Sequence, residues 1–308
     1  MPVVKSIKSR DLGENELATF KILAEIAQDV YDPAQQKTGR WQKLNAHEVK
    51  AIGVRPEDLM DASTSLFDGK SDFKANIYKT DQDQIVVAFA GSQTTSDWYA
   101  NLKQGAGVET GQYNQAVRLA RKVALSDKQV LFTGHSLGGG LATLASAVTG
   151  RPAVGFNPSG VHKRTIARQG IDFDRFQKSA EEGMVRNITV RGDALQILNG
   201  LPLVPNPSGQ TLKLDGEAAR GKGPIGRHAM SVVIGLLDAS VSKQAVNGPA
   251  DQITRSEYIE RTEALWQAMP HGPAKHKAGQ ALEQLRESLS LERSHDRDKG
   301  RDNFDLEQ

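Results

Sequence analysis

A chain of 308 residues has room for one large α/β domain with an appendage or for two ordinary domains, and its 38% hydrophobic and 25% charged residues suit a protein that folds in water. Lysine plus arginine number 39 against 37 aspartate plus glutamate, a net charge of +2 that gives no electrostatic reason to expect a nucleic-acid partner. The absence of cysteine excludes disulfides, thiolate metal sites and a cysteine nucleophile, and the longest apolar runs fall short of the roughly 18 residues that span a bilayer.

Residues 1–15 read as a loose lead-in without a continuous apolar stretch, so a conventional secretory signal is not expected. In ELATFKILAEIAQDVYD, Leu17, Phe20, Leu23, Ala24 and Ala27 recur at helical spacing, and that helix is expected to end near Asp32-Pro33. From Pro33 to Ser71 the chain is mixed and irregular. KANIYKTDQDQIVVAFAGS predicts a hairpin whose second arm, Ile85 to Ala90, is apolar on both faces, as suits a buried central strand. TTSDWYANL and QYNQAVRLARKVALS predict two helices, the second amphipathic through Ala116, Val117, Leu119, Ala120 and Val123.

A strand over 130–133, a helix over 141–148, a strand over 153–157, a long insertion and a strand over 185–190 follow. Strands alternating with helices predict a mostly parallel sheet covered on both faces, the α/β class. Beyond about Asp251 the chain is rich in charge and helix formers with few large apolar residues. The expected division is an α/β domain over 1–245 and a charged, helical and partly disordered extension over 246–308.

The segment QVLFTGHSLGGGLATLAS holds Gly134-His135-Ser136-Leu137-Gly138 between the predicted strand and the predicted helix. That is the context a G-x-S-x-G nucleophile elbow requires: a strained turn lifts a serine hydroxyl out at the carboxyl edge of a sheet, and glycines relieve crowding where strand meets helix. The competing reading of Ser136 is a turn serine capping a helix. A serine hydroxyl needs a base to take its proton, and the base needs an acid to hold its tautomer. Chain order in such folds is Ser, then acid, then His.

His47 precedes the serine, His135 sits inside the elbow with its side chain directed away from the hydroxyl, and His162 follows too soon. His271, His276 and His295 belong to the charged tail. His228, between GKGPIGR and the apolar run AMSVVIGLL, is the expected base. Asp193, just past the strand in VRNITVRGDALQIL, is the expected acid, against the readings of a turn aspartate after Gly192 or a helix N-cap. An oxyanion needs backbone donors; Leu137 supplies the one after the nucleophile, and Ser92, just past Ile85 to Ala90, is the candidate for the second.

Three stretches together carry a family likeness over about residues 17 to 237. VVAFAGSQTTSDWYANL, VLFTGHSLGGGLATLAS, and ITVRGDALQIL followed by His228 resemble the corresponding blocks of the class 3, fungal-type lipases of the α/β-hydrolase fold. The resemblance implies Ser136 as nucleophile, Asp193 as acid and His228 as base, with Ser92 and Leu137 at the oxyanion hole and no cofactor or metal. Two departures stand out: Ala90 replaces the family's usual Arg between Phe89 and Gly91, and GVETGQY stands in place of an H-x-G-F element.

The implied substrate is an ester of a membrane glycerophospholipid or other glycerolipid. The alternatives are a soluble small-acyl esterase or thioesterase, and a non-catalytic hydrolase-like binding module. Within the insertion 158–184, Phe173 and Phe176 among basic residues are candidates for a lid or a lipid-surface contact, against the reading of a helix packed on the domain with a solvated charged face. Leu203 and Val204, in LNGLPLVPNPSG, are candidates for an acyl groove, against core. The missing signal and the charged tail further imply a toxic phospholipase effector, made in the cytoplasm and delivered by a signal-less route. Such an effector would have an immunity protein as partner and a secretion-machine component bound to the tail.

Overall fold

The computed structural model describes residues 6–7, 14–31, 39–60, 73–91, 111–199 and 204–241, all within the unit Met1–Pro249. The expected helix over 94–102, Ser92, Leu203 and the extension 246–308 lie outside the described residues.

Among the described residues eight strands form one sheet: β1 (Ser6–Ile7), β2 (Trp41–Lys43), β3 (Ala75–Thr80), β4 (Ile85–Phe89), β5 (Val130–His135), β6 (Ala153–Phe156), β7 (Val185–Val190) and β8 (Gln210–Leu214). Their spatial order is β1-β8-β7-β6-β5-β4-β3-β2. From β4 through β8 to β1 every pairing is parallel, and only β3 and β2 add antiparallel partners at one end. The mostly parallel sheet is the one the alternating pattern predicts.

The apolar runs explain the burial. Successive side chains of a strand point to opposite faces, so Ile85, Val87 and Phe89 enter one core while Val86, Ala88 and Ala90 enter the other. Strands β4 to β7 step in one direction across the sheet, and right-handed crossovers then place their connecting helices on one face. That face carries α3 (Gly111–Ala124) and α4 (Leu137–Thr149), then α5 (Lys163–Ala167) and α6 (Phe173–Ser179) from the insertion. The opposite face carries α1 (Glu14–Asp29) and α9 (Met230–Val241).

Several elements form where periodicity predicted none. Between Pro33 and Ser71, β2 adds three residues to the sheet edge, and α2 (Ala46–Ala51) starts on a capping box in which Asn45 and Glu48 satisfy each other's backbone N–H groups. Strand β8 and the short helices α7 (Ala194–Leu198) and α8 (Pro224–His228) form between β7 and α9. Helix α4 begins four residues before the expected Leu141, because Gly138, Gly139 and Gly140 are helical despite their poor propensity. A β-carbon at Gly139 would stand 2.7 Å from the Pro158 side chain, and one at Gly140 would stand 2.6 Å from the Ser159 hydroxyl oxygen. Close approach of α4 to the β6 loop outweighs helix propensity there.

Candidate active site

Four adjacent parallel strands deliver the site from their carboxyl ends. Gly91 lies just past β4, Ser136 follows β5, Asn157 follows β6 and Asp193 follows β7. Ser136 is buried at the elbow with φ 59° and ψ −125°, a conformation L-residues seldom adopt. Its backbone is gripped on both sides. Its N–H donates to the Phe156 carbonyl at 3.0 Å, and its own carbonyl accepts the N–H groups of Gly139 and Ser159, each at 3.0 Å. The flanking glycines are required sterically, since a β-carbon on Gly134 would overlap the Gly138 backbone and one on Gly138 would overlap the Phe89 carbonyl.

Asp193 is fully buried and uses its two oxygens separately. Oδ1 accepts the Gln196 N–H at 3.1 Å, capping α7, while Oδ2 lies 2.6 Å from His228 Nδ1. A carboxylate oxygen only accepts, so Nδ1 carries the hydrogen and Nε2 is the basic nitrogen. The N-cap bond and the contact with His228 therefore coexist in one residue.

His228 ends α8, whose Pro224 sits where a helix tolerates a missing N–H. The Arg227 guanidinium fastens this segment to the sheet, donating to the Arg191 carbonyl at 2.7 Å and the Lys222 carbonyl at 2.8 Å. Asn157, itself at φ 41° and fully buried, donates from Nδ2 to the carbonyls of Arg227 and His228 while its Oδ1 accepts the Val190 N–H at 2.8 Å. The His228 ring lies 4.5 Å, centroid to centroid, from that of His135, the residue before Ser136.

Around the elbow, a β-carbon on Gly91 would meet the His135 carbonyl at 2.7 Å, the Tyr31 hydroxyl at 2.8 Å and the Leu137 nitrogen at 3.3 Å. The end of β4 thus presses against the start of α4, beside the Leu137 N–H. Val204, half-buried, precedes Pro205, whose carbonyl lies directly against Gly160 in the loop that grips Ser136. Burial raises the Tyr31 phenol well above its usual range, the Gly91 N–H opposing this in part. Burial, then the neighbouring His228 charge, holds His135 well below the usual histidine range. Among the described residues no group of three His, Asp or Glu side chains could hold a metal ion.

Residues 22–244 match the Tle-like phospholipase domain, a phospholipase-like family. The chain belongs to that family. It is also 38% identical over 195 residues to an extracellular phospholipase A1 of Serratia liquefaciens, covering 62% of this chain and 58% of that protein. Among solved structures it is similar to the Lip2 lipase of Yarrowia lipolytica, at 13% identity with a TM-score of 0.41 over 67% of this chain and 81% of that one. A second likeness, at 17% identity and a TM-score of 0.39, is to a structure from a family of fungal lipases with an unusual buried polar cluster, covering 67% and 82%. The chain has the mostly parallel sheet, covered by helices on both faces, and the strand-to-helix elbow after β5 that the sequence leads one to expect.

The two lid candidates, Phe173 and Phe176, both lie in α6. Phe176 is 4% exposed in the core shared with α4, and Phe173 packs against the same core. Lys163, Arg164 and Arg168 of the same insertion are exposed. Sequence pattern alone marks none of Tyr31, His135 and Asn157 as part of this constellation. For Asn157 the signal was a polar residue closing the apolar run AVGF; for Tyr31 and His135 only the three-dimensional contacts reveal the connection.

Proposed function

We propose that the protein is a serine hydrolase of carboxylic esters in membrane glycerophospholipids, a phospholipase A-type enzyme. The observation that carries the proposal is the 2.6 Å contact of His228 Nδ1 with buried Asp193, at the same sheet edge as Ser136 in its strained turn. Family membership and the phospholipase A1 name of the Serratia relative support the substrate class.

In this reading His228 Nε2 takes the proton from Ser136 Oγ as that oxygen attacks the ester carbonyl. Asp193 holds the imidazole in the tautomer with Nδ1 protonated and stabilises the imidazolium that forms. The developing oxyanion accepts the Leu137 N–H at the first turn of α4, where helix N-termini favour negative charge, and Ser92 is proposed as the second donor. Collapse of the tetrahedral species expels the lysophospholipid alkoxide, which receives the proton from His228. Water, deprotonated by the same nitrogen, then hydrolyses the acyl-Ser136 ester and frees the fatty acid.

The test is fatty-acid release from phosphatidylglycerol and phosphatidylethanolamine vesicles and from a triacylglycerol emulsion, with native protein and Ser136→Ala. Release by native protein that falls at least about 10³-fold in the variant is expected; equal release by both removes the assignment. Turnover confined to soluble p-nitrophenyl esters, without stimulation by aggregated lipid, would make the enzyme a small-acyl esterase. No turnover on any ester would leave a binding module. The similarity to an extracellular phospholipase A1 supports action outside the producing cell; an immunity protein as partner and residues 251–308 as the segment recognised for delivery are further parts of the proposal.

A further inference from the structure

The residue between Gly134 and Ser136 is a buried histidine with both ring nitrogens engaged. His135 Nε2 lies 2.8 Å from the main-chain oxygen of His228. That oxygen has only lone pairs to offer, so Nε2 carries the hydrogen and Nδ1 is an acceptor. The Tyr31 hydroxyl oxygen lies 3.3 Å from His135 Nδ1 and 3.4 Å from the His135 main-chain oxygen, two acceptors for its one hydrogen. The Tyr31 oxygen in turn accepts the Gly91 N–H at 2.8 Å.

These bonds form one chain, from the end of β4 through Tyr31 and His135 to the backbone of the proposed base. Asn157 adds a second donor to the same His228 carbonyl at 3.2 Å. A strand-to-helix turn by itself asks for no imidazole, and an apolar side chain would fill a buried site without desolvating polar atoms. Neutral His135 also avoids repelling the imidazolium that His228 becomes during turnover; burial, with the His228 charge acting in the same direction, keeps it neutral.

We propose that His135 is a positioning residue for ester hydrolysis: its Nε2–H fixes the main chain of His228, and Tyr31 joins that fixation to the strand end beside the Leu137 N–H. The proposal rests on reading Ser136, Asp193 and His228 as the triad. In its terms, the x of this G-x-S-x-G is chosen for its donor, since an error of a fraction of an ångström in the base's backbone is passed directly to Nε2.

The experiment compares native protein, His135→Leu, His135→Gln, Tyr31→Phe and the Tyr31→Phe/His135→Leu pair on p-nitrophenyl butyrate, with thermal unfolding of each and Ser136→Ala as control. Glutamine places an N–H near the position of the imidazole Nε2–H, whereas leucine has none. Expected for His135→Leu is a fall in kcat of about 10- to 100-fold with KM within about twofold, the signature of misplaced machinery and not of lost binding. Expected for His135→Gln is recovery of most of that loss. Tyr31→Phe is expected to lower kcat by itself and to add little in the double variant, since both act through one chain of bonds.

Native kcat in His135→Leu overturns the proposal, as does His135→Gln falling as far as His135→Leu, or losses that multiply fully in the double variant. If His135→Leu does not fold, the remaining singles decide: folded Tyr31→Phe at native kcat overturns the proposal, and reduced kcat with His135→Gln near native supports it. Unchanged turnover in Ser136→Ala would instead remove the triad reading, and the proposal with it.

Discussion

Asp193 serves two neighbours with its two oxygens, and the two roles separate experimentally. Asp193→Asn keeps an oxygen for the Gln196 N–H but sets an amide NH₂ against His228 Nδ1, favouring the wrong tautomer. Its kcat on p-nitrophenyl butyrate is expected to fall about 10³- to 10⁴-fold, with the thermal midpoint nearly unchanged. Asp193→Ala loses the α7 cap as well and is expected to unfold about 1 kcal/mol more easily, as calorimetry would measure. Comparable midpoints in the two variants would deny the capping role. At this scale the sequence was legible where a residue's position follows from an element boundary, as for Ser136, Asp193 and His228. It was silent on Tyr31, which reaches His135 across 104 positions of chain by a contact that no local pattern encodes.

Elements built on strong periodicity stand where the pattern put them. Helix α3 buries Ala116, Val117, Leu119, Ala120 and Val123, and strand β4 is buried along its whole length. Those without a pattern were lost: β2 has three residues, too few for an alternation, and β8 reads QTLKL with a polar residue at its first two positions. The 3₁₀ turn Pro56–Leu59 was equally hidden, yet it is tied to α3 by an ion pair. Both Asp58 carboxylate oxygens lie 2.7 Å from Lys122 Nζ, and Oδ2 also accepts the Arg55 N–H at 2.9 Å. Partial burial by itself would raise the Asp58 pKa; the Lys122 ammonium and the Arg55 donors outweigh it and lower the value from 3.8 to about 2. A folded-state value below the unfolded one contributes stability above the unfolded pKa that is lost as pH falls through the folded pKa. Urea midpoints of native protein and Asp58→Asn should therefore differ at about pH 5 and converge toward about pH 2. A gap that persists at the acid end would show that the aspartate's shape, not its charge, holds the turn.

The site residues Ser136, Asp193 and His228 all lie in the unit Met1–Pro249, and the family match ends at residue 244. Deletion of residues 251–308 is accordingly expected to leave kcat/KM on phospholipid vesicles at the native value, and loss of hydrolysis would place the tail within the catalytic fold. The same whole-molecule view exposes a problem of timing. Helix α1 turns Leu17, Phe20, Leu23, Ala24 and Ala27 into a core whose other contributors include Val232, Val233, Leu236 and Leu237 of α9, and β1 pairs with β8. About 200 residues separate the two helices, so at roughly 5–20 residues per second the ribosome needs about 10 to 40 s to deliver the second after the first. Throughout that interval the nascent chain presents a greasy helix with no cover from α9, and the last strand of the sheet has yet to appear. A chain truncated at Gly216 should therefore bind a chaperone or aggregate and lose α1 to protease, whereas the full chain should protect it; equal protection would mean that α1 is secured by the sheet before α9 arrives.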